Sequence, residues 1–257
     1  MDRRAWLLAV VGALVVVATG ALVAMPRAPR TALRPEEPDV SAPPRMAVED
    51  LYAAFASSTT GTSLHTAVAT TVDDAGEVVL PSGRLVGSDA FVIFDAVPFT
   101  TAVPPGRHPV SVLRADFASG DRRVAAAMVR LGPNDPVRWE PALVAGQDPA
   151  TLGPDEFFGY GVDAGTGAFT SPEATARLRD EAAYDAYSKA VMAAMFPGGD
   201  QFRLTAQVEV DPGSGANVVA FASGFGDGAY PTFVGIDRDG QPAVVLTDFG
   251  ILDAPSP

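Results

Sequence analysis

Cysteine is missing from all 257 residues, and this excludes disulfides, thiolate metal sites and a cysteine nucleophile together. Histidine is nearly missing. His65 and His108 stand 43 residues apart with no carboxylate at zincin spacing, so a histidine-built metal centre is not expected, and the expected metal set is none. No Gly-x-Ser-x-Gly elbow occurs, since Ser82 and Ser223 lack the flanking glycines, and those two imidazoles are the only histidine bases; a serine hydrolase is not expected. Lys189 is the one lysine, and no basic run is interleaved with aromatics. Six of the 18 basic and four of the 31 acidic residues lie in 1–45, which leaves residues 46–257 with 12 against 27, a net charge of −15. Such a field repels phosphate backbones, so nucleic acid is not an expected partner.

The most conspicuous feature present is apolar. After Arg3 and Arg4 come 21 residues, Ala5 to Met25, without a charge and with Thr19 as the sole polar side chain. As a helix they would span about 30 Å, the hydrocarbon thickness. Residues 1–25 read as a transmembrane signal-anchor, with a cleaved signal peptide as the competing reading; the apolar middle of a signal peptide usually runs only about 7–15 residues. The expected partner of residues 5–25 is the membrane. The expected location is a single-pass protein of the cell membrane with its globular part extracytoplasmic, although arginines on both flanks leave the positive-inside count undecided. Residues 26–45, rich in Pro, Arg and Glu, read as a solvated linker, and 46–257 as a globular β-rich domain, long enough to bury roughly 70% of its unfolded surface.

Within that domain, Met46–Ala56 carries Val48, Leu51, Tyr52 and Phe55 at helical spacing. Short β-rich runs follow at Leu64–Val72, Val78–Leu80, Arg84–Val86, His108–Phe117, Arg123–Leu131 and Arg138–Leu143, punctuated by Gly, Pro and Asp. Phe157–Phe169, FFGYGVDAGTGAF, reads as a strand, a glycine turn and a return strand. One long helix is expected from Pro172 to Phe196, with Ser171 as N-cap and Leu178, Tyr184 or Tyr187, Val191 and Met195 on its apolar face. Strands at Leu204–Val210, Asn217–Ala222, Thr232–Ile236 and Ala243–Asp248 close the chain. The fold class expected is α+β: an antiparallel β-rich single domain with one long helix packed on the sheet, preceded by the transmembrane helix.

Several stretches together resemble a bacterial family, the domain of unknown function 4241, over about residues 70–253. They are LPSGRLVGSD at Leu80–Asp89, VPPGRHPV at Val103–Val110, RVAAAMVRL at Arg123–Leu131, Trp139-Glu140, FFGYGVDAGTGAF, NVVAFASGFGDGAYP at Asn217–Pro231 and Asp248-Phe249. His108 departs from the tyrosine usual there and Phe225 from a tryptophan. The first departure argues against a catalytic His108. The resemblance implies a shared fold and no particular activity.

Two glycine loops carry the candidate chemistry. Asp163-Ala164-Gly165-Thr166-Gly167 resembles the Asp-x-Gly-Thr phosphate hairpin of actin-like ATPases, but the second lobe those proteins need is not in evidence. Ser223-Gly224-Phe225-Gly226-Asp227-Gly228 lets backbone approach whatever faces it. If the loops meet, Asp163 and Asp227 are the candidate catalytic pair for cation binding or acid–base work, and Gly165, Thr166, Gly167, Gly226 and Gly228 are binding candidates. The competing structural reading is that each aspartate caps a turn. Asp237, Asp239 and Asp248 mimic calcium-loop spacing, but Pro242 stands where glycine is required. No cofactor is expected. The expected function is a membrane-anchored, non-catalytic binding or interaction domain. The alternatives are a carboxylate-dependent, cation-assisted hydrolase using Asp163 and Asp227, and an immunity-like protein that protects against a toxin.

Overall fold

The structure, a computed structural model, describes residues 45–56, 60–153, 156–198 and 202–254. The expected anchor over 5–25 and the linker up to residue 44 lie outside the described residues. Among the described residues, no helix is long and apolar enough to cross a membrane.

Two antiparallel sheets and a helical layer make up the described chain. The larger sheet orders β1 (Thr60–Ser63), β2 (Thr66–Leu80), β4 (Gly106–Phe117), β5 (Arg122–Arg130), β12 (Pro242–Asp248), β11 (Gly228–Ile236) and β6 (Arg138–Pro141), and β7 (Gly159–Val162) also pairs with β11. The smaller orders β3 (Val86–Asp89), β8 (Thr166–Thr170), β10 (Ala216–Ala222) and β9 (Thr205–Asp211). β8 and β10 are buried along their whole length, which fits a sheet covered on both faces. Strand alternation explains how. Phe169, Val219 and Phe221 join the core shared with Val78, Leu80, Val110 and Val112 of the larger sheet, while Ala168, Val218 and Ala220 belong to a second cluster with Leu178, Tyr187, Val191 and Met195. The Phe169 and Phe221 rings meet edge to face at 5.0 Å, a geometry worth about 1 kcal/mol beyond the area it buries. α1 (Val48–Ala54) adds Leu51 and Ala54 to the first cluster.

The β-rich antiparallel class is therefore as expected, and Val124–Val129 forms a central buried strand. Four details differ. The strands lie in two sheets. The expected pair Leu64–Val72 and Val78–Leu80 is one strand, β2, bent by a bulge between Asp74 and Gly76. Gly76 adopts φ +94, and a Cβ there would overlap the Gln207 carboxamide. The single long helix is two: α2 (Pro172–Arg177), capped by Ser171 Oγ at 3.3 Å from Ala174 N, and α3 (Glu181–Met195), capped by Asp180 Oδ1 at 2.9 Å from Ala183 N. The break has a local cause. Asp180 competes for the backbone donors of the next turn and restarts the helix. The apolar face is as read, since Leu178, Tyr187, Val191 and Met195 are all buried.

The fourth difference concerns the glycine stretch. β7 and β8 do not pair with each other: β7 pairs with β11 of the larger sheet, and β8 with β3 and β10 of the smaller. Asp163–Gly165 is thus a crossover between sheets rather than a hairpin turn. The first half is a strand as read, its alternate residues Phe158, Tyr160 and Val162 all buried. On the opposite side, a Cβ at Gly159 would collide with the carbonyl of Tyr230, so this glycine is required by close backbone approach.

Candidate functional site

Asp89 organises the crossover. It ends β3, is 3% exposed, and accepts four backbone N–H bonds. Oδ1 takes Phe91 N at 2.6 Å and Val92 N at 3.1 Å; Oδ2 takes Asp163 N at 2.7 Å and Ala164 N at 2.8 Å. Such hydrogen bonds to a charged acceptor are the strong kind, and here they clamp two segments 74 residues apart onto one carboxylate. The far side of the clamp is held by α3. Tyr187 Oη donates to Ala90 O and Tyr184 Oη to Phe91 O, each at 2.8 Å, and burial pushes both phenols upward in pKa, so they remain protonated donors.

The second glycine loop docks on the first. Ser223 N donates to Gly165 O at 3.1 Å, and Gly165 N donates to Asp227 Oδ1 at 3.0 Å. Within the loop, Gly226 N bonds Ser223 O and Ser223 Oγ bonds Gly226 O, each at 2.8 Å. Tyr230 Oη reaches Gly226 O at 2.7 Å, and burial raises the pKa of its phenol. Gly165 at φ +61 and Gly226 at φ +126 supply backbone conformations that side chains oppose.

The two loops do meet, and the candidate residues are distributed as follows. Asp227 is exposed but spends one oxygen on the other loop's backbone, a cap across loops where the structural reading expected a cap within its own turn. Asp163 is exposed and sits beside the same junction. Gly228 is exposed and Gly226 half-buried, with open space where a Gly226 Cβ would stand. Thr166 and Gly167 are buried; a Cβ on Gly167 would stand 2.9 Å from the Phe221 ring, and Thr166 Oγ1 bonds Ala164 O at 3.3 Å. The backbone donors of Asp163, Ala164 and Gly165, which a phosphate hairpin would direct at its ligand, already serve Asp89 and Asp227.

The outer face of the junction carries an aromatic. Phe225 is 52% exposed, its ring centroid is 6.4 Å from that of Phe117, and the Arg123 guanidinium stands 5.6 Å from its centre. Elsewhere, His108 is buried and donates Nε2–H to Pro104 O at 2.7 Å. Asp237 accepts from Asp239 N and Gln241 N at 2.9 Å each, closing its own turn. Among the described residues, no group of three or more His, Asp or Glu side chains could hold a metal ion. Asp89 escaped the sequence reading of the site. The only local signal was an Asp at a strand end able to close its own turn through Phe91 and Val92; its other two partners are far along the chain.

The model of the family described as "Protein of unknown function (DUF4241)" matches residues 78–247. That span holds Asp89 and both glycine loops. No curated protein and no solved structure matches the chain.

Proposed function

We propose, from the premise that this chain belongs to the DUF4241 family, that it is a non-catalytic binding domain held at the cell membrane by residues 5–25, with its globular part extracytoplasmic. The contact surface is the outer face of the glycine-loop junction: Asp163, Phe225, Gly226 and Gly228. One observation carries this reading. The junction is tied internally by Asp89, Asp227 and Tyr230, yet its outer face leaves a large aromatic and a carboxylate in solvent. A surface ordered before contact loses less conformational freedom on binding. The test is to titrate calcium, magnesium, zinc, nucleotides and sugars into the full chain in non-ionic detergent while following thermal unfolding. A ligand at 100 times its Kd adds about 2.7 kcal/mol. A shift lost in Asp163→Asn and in Phe225→Ala supports the junction; a shift retained in both removes it. For the location, protease added to intact spheroplasts should digest the domain, and protection would reverse the orientation.

A second reading is favoured by the 3.0 Å bond between Gly165 and Asp227, which brings the loops of both candidate carboxylates together. In it, Asp163 and the free oxygen of Asp227 hold a cation or share a proton in hydrolysis of a polar substrate. It ranks second because half of Asp227 is structural. Turnover of a glycoside panel that disappears in Asp163→Asn, with the unfolding curve unchanged, would promote it.

A further inference from the structure

A cleft of about 430 Å³ opens where β2, β4 and β5 of the larger sheet face the segment leading into β9. Asp73, Arg114, Arg122, Phe202, Arg203 and Leu204 line it. Three of the domain's 12 basic residues line it against Asp73; with Asp116, which Arg114 also engages, the cluster carries +1 within a domain of −15. Arg114 is already committed: it forks onto Asp116 through Nε at 2.8 Å and Nη2 at 3.1 Å, and pairs with Asp73 through Nη1. Asp116 is also the cross-strand neighbour of Arg122, and both its oxygens accept from Arg114. Arg122 and Arg203 form no ion pair among the described residues, although acids outnumber bases by more than two to one across the domain. Phe202, 39% exposed, adds an apolar residue to the lining, its ring centroid 5.1 Å from that of Phe196.

The segment leading into β9 is anchored on both sides. Arg203 N donates to Met195 O at the end of α3, and Ala222 N at the end of β10 donates to Leu204 O, each at 2.8 Å. Arg203 thus leaves a backbone tied to α3 and β10, while Arg122 opens β5 of the larger sheet. Guanidinium forks match the oxygen spacing of phosphate.

We propose that this cleft binds a small phosphate monoester, its dianion held between Arg122 and Arg203 and its organic group laid on Phe202. The dianion would meet two guanidiniums that have no ion-pair partner among the described residues. A nucleic-acid backbone differs, because its many phosphates would run out of the cleft into the negative field of the whole domain. The proposal does not depend on the glycine-loop reading: Asp163→Asn and Phe225→Ala leave it intact.

Isothermal titration of the full chain in non-ionic detergent tests it with phenyl phosphate, inorganic phosphate and benzoate. Phenyl phosphate should bind more tightly than inorganic phosphate, and benzoate more weakly than both. Arg122→Ala/Arg203→Ala should weaken phenyl phosphate at least tenfold, Arg122→Lys/Arg203→Lys by an intermediate factor, and Arg238→Ala not at all. Both arginines are solvent-exposed, so the unfolding midpoint should not move; if the alanine pair fails to fold, the lysine pair decides. Binding unaffected by the decisive pair, benzoate equal to phenyl phosphate, or no heat from any probe at millimolar concentration would each overturn the proposal.

Discussion

Replacing Asp89 by asparagine keeps size and shape and changes only hydrogen bonding, so it isolates the clamp. The carboxylate accepts four N–H groups, two on each oxygen. Asparagine can serve only one of those pairs; its NH₂ faces the other, donor against donor. Two bonds are lost outright, and the remaining two lose their charge assistance. A donor left without an acceptor costs about 1–3 kcal/mol, and a charge-assisted bond is roughly twice as strong as a neutral one. Val92, Asp163 and Ala164 lie at the solvent edge, where water replaces part of what is lost, so the lower end of each range applies. The sum is about 3 kcal/mol, a large share of a typical domain stability of about 5–15 kcal/mol. Urea unfolding followed by tryptophan fluorescence should show the midpoint falling by roughly 1–1.5 M, given slopes of about 2–3 kcal/mol/M. Asp227→Ala removes one bond at an exposed position and should cost about 1 kcal/mol. The amides of Asp163 and Ala164 should also exchange faster in Asp89→Asn. If its midpoint falls no further than that of Asp227→Ala, Asp89 is not the clamp.

The β1–β2 turn places Leu64 at φ 48 and His65 at φ 62, with their N–H groups held by the two oxygens of Asp253 at 3.0 and 2.9 Å. His65→Gly should relieve backbone strain and raise stability by about 1 kcal/mol, seen as a melting temperature a few degrees higher; a lower one would contradict the turn. Gly159→Ala should cost about 1–3 kcal/mol in thermal unfolding, because its Cβ has no room against the Tyr230 carbonyl; a neutral result would mean that β7 is not paired as described. Burial raises the pKa of the Asp248 carboxyl above its unfolded value, despite the Gly250 N–H bond and the Arg45 charge. Between those two values the folded state binds the extra proton, so stability falls as pH rises through the window, by at most about 1.4 kcal/mol per pH unit. Other carboxylates shift the opposite way, so the difference between the wild-type and Asp248→Asn curves is the measurement; a flat difference from pH 3 to 7 would refute the raised value.

Much of this protein could be read from neighbouring residues alone. The Ser171 cap, the buried face of Leu178, Tyr187, Val191 and Met195, the buried alternation of Phe158, Tyr160 and Val162, and the central strand at Val124–Val129 are period or capping signals, settled within a few residues. The β-rich antiparallel class and the family followed from the same signals and from the quoted motifs. Partners far along the chain decided the rest. Nothing near Phe157–Phe169 indicates that its two strands enter different sheets, because that depends on β11 and β10, which follow it by more than 40 residues. Asp89 looks from its neighbours like a turn residue closing on Phe91 and Val92; its hold on Asp163 and Ala164 arises only when β3 and β8 pair. Arg122 and Arg203 became joint walls of one cleft in the same way. Periodicity and caps are local because they depend on steric and hydrogen-bonding choices within one or two turns, whereas sheet partners and shared carboxylates are fixed by packing of the whole chain.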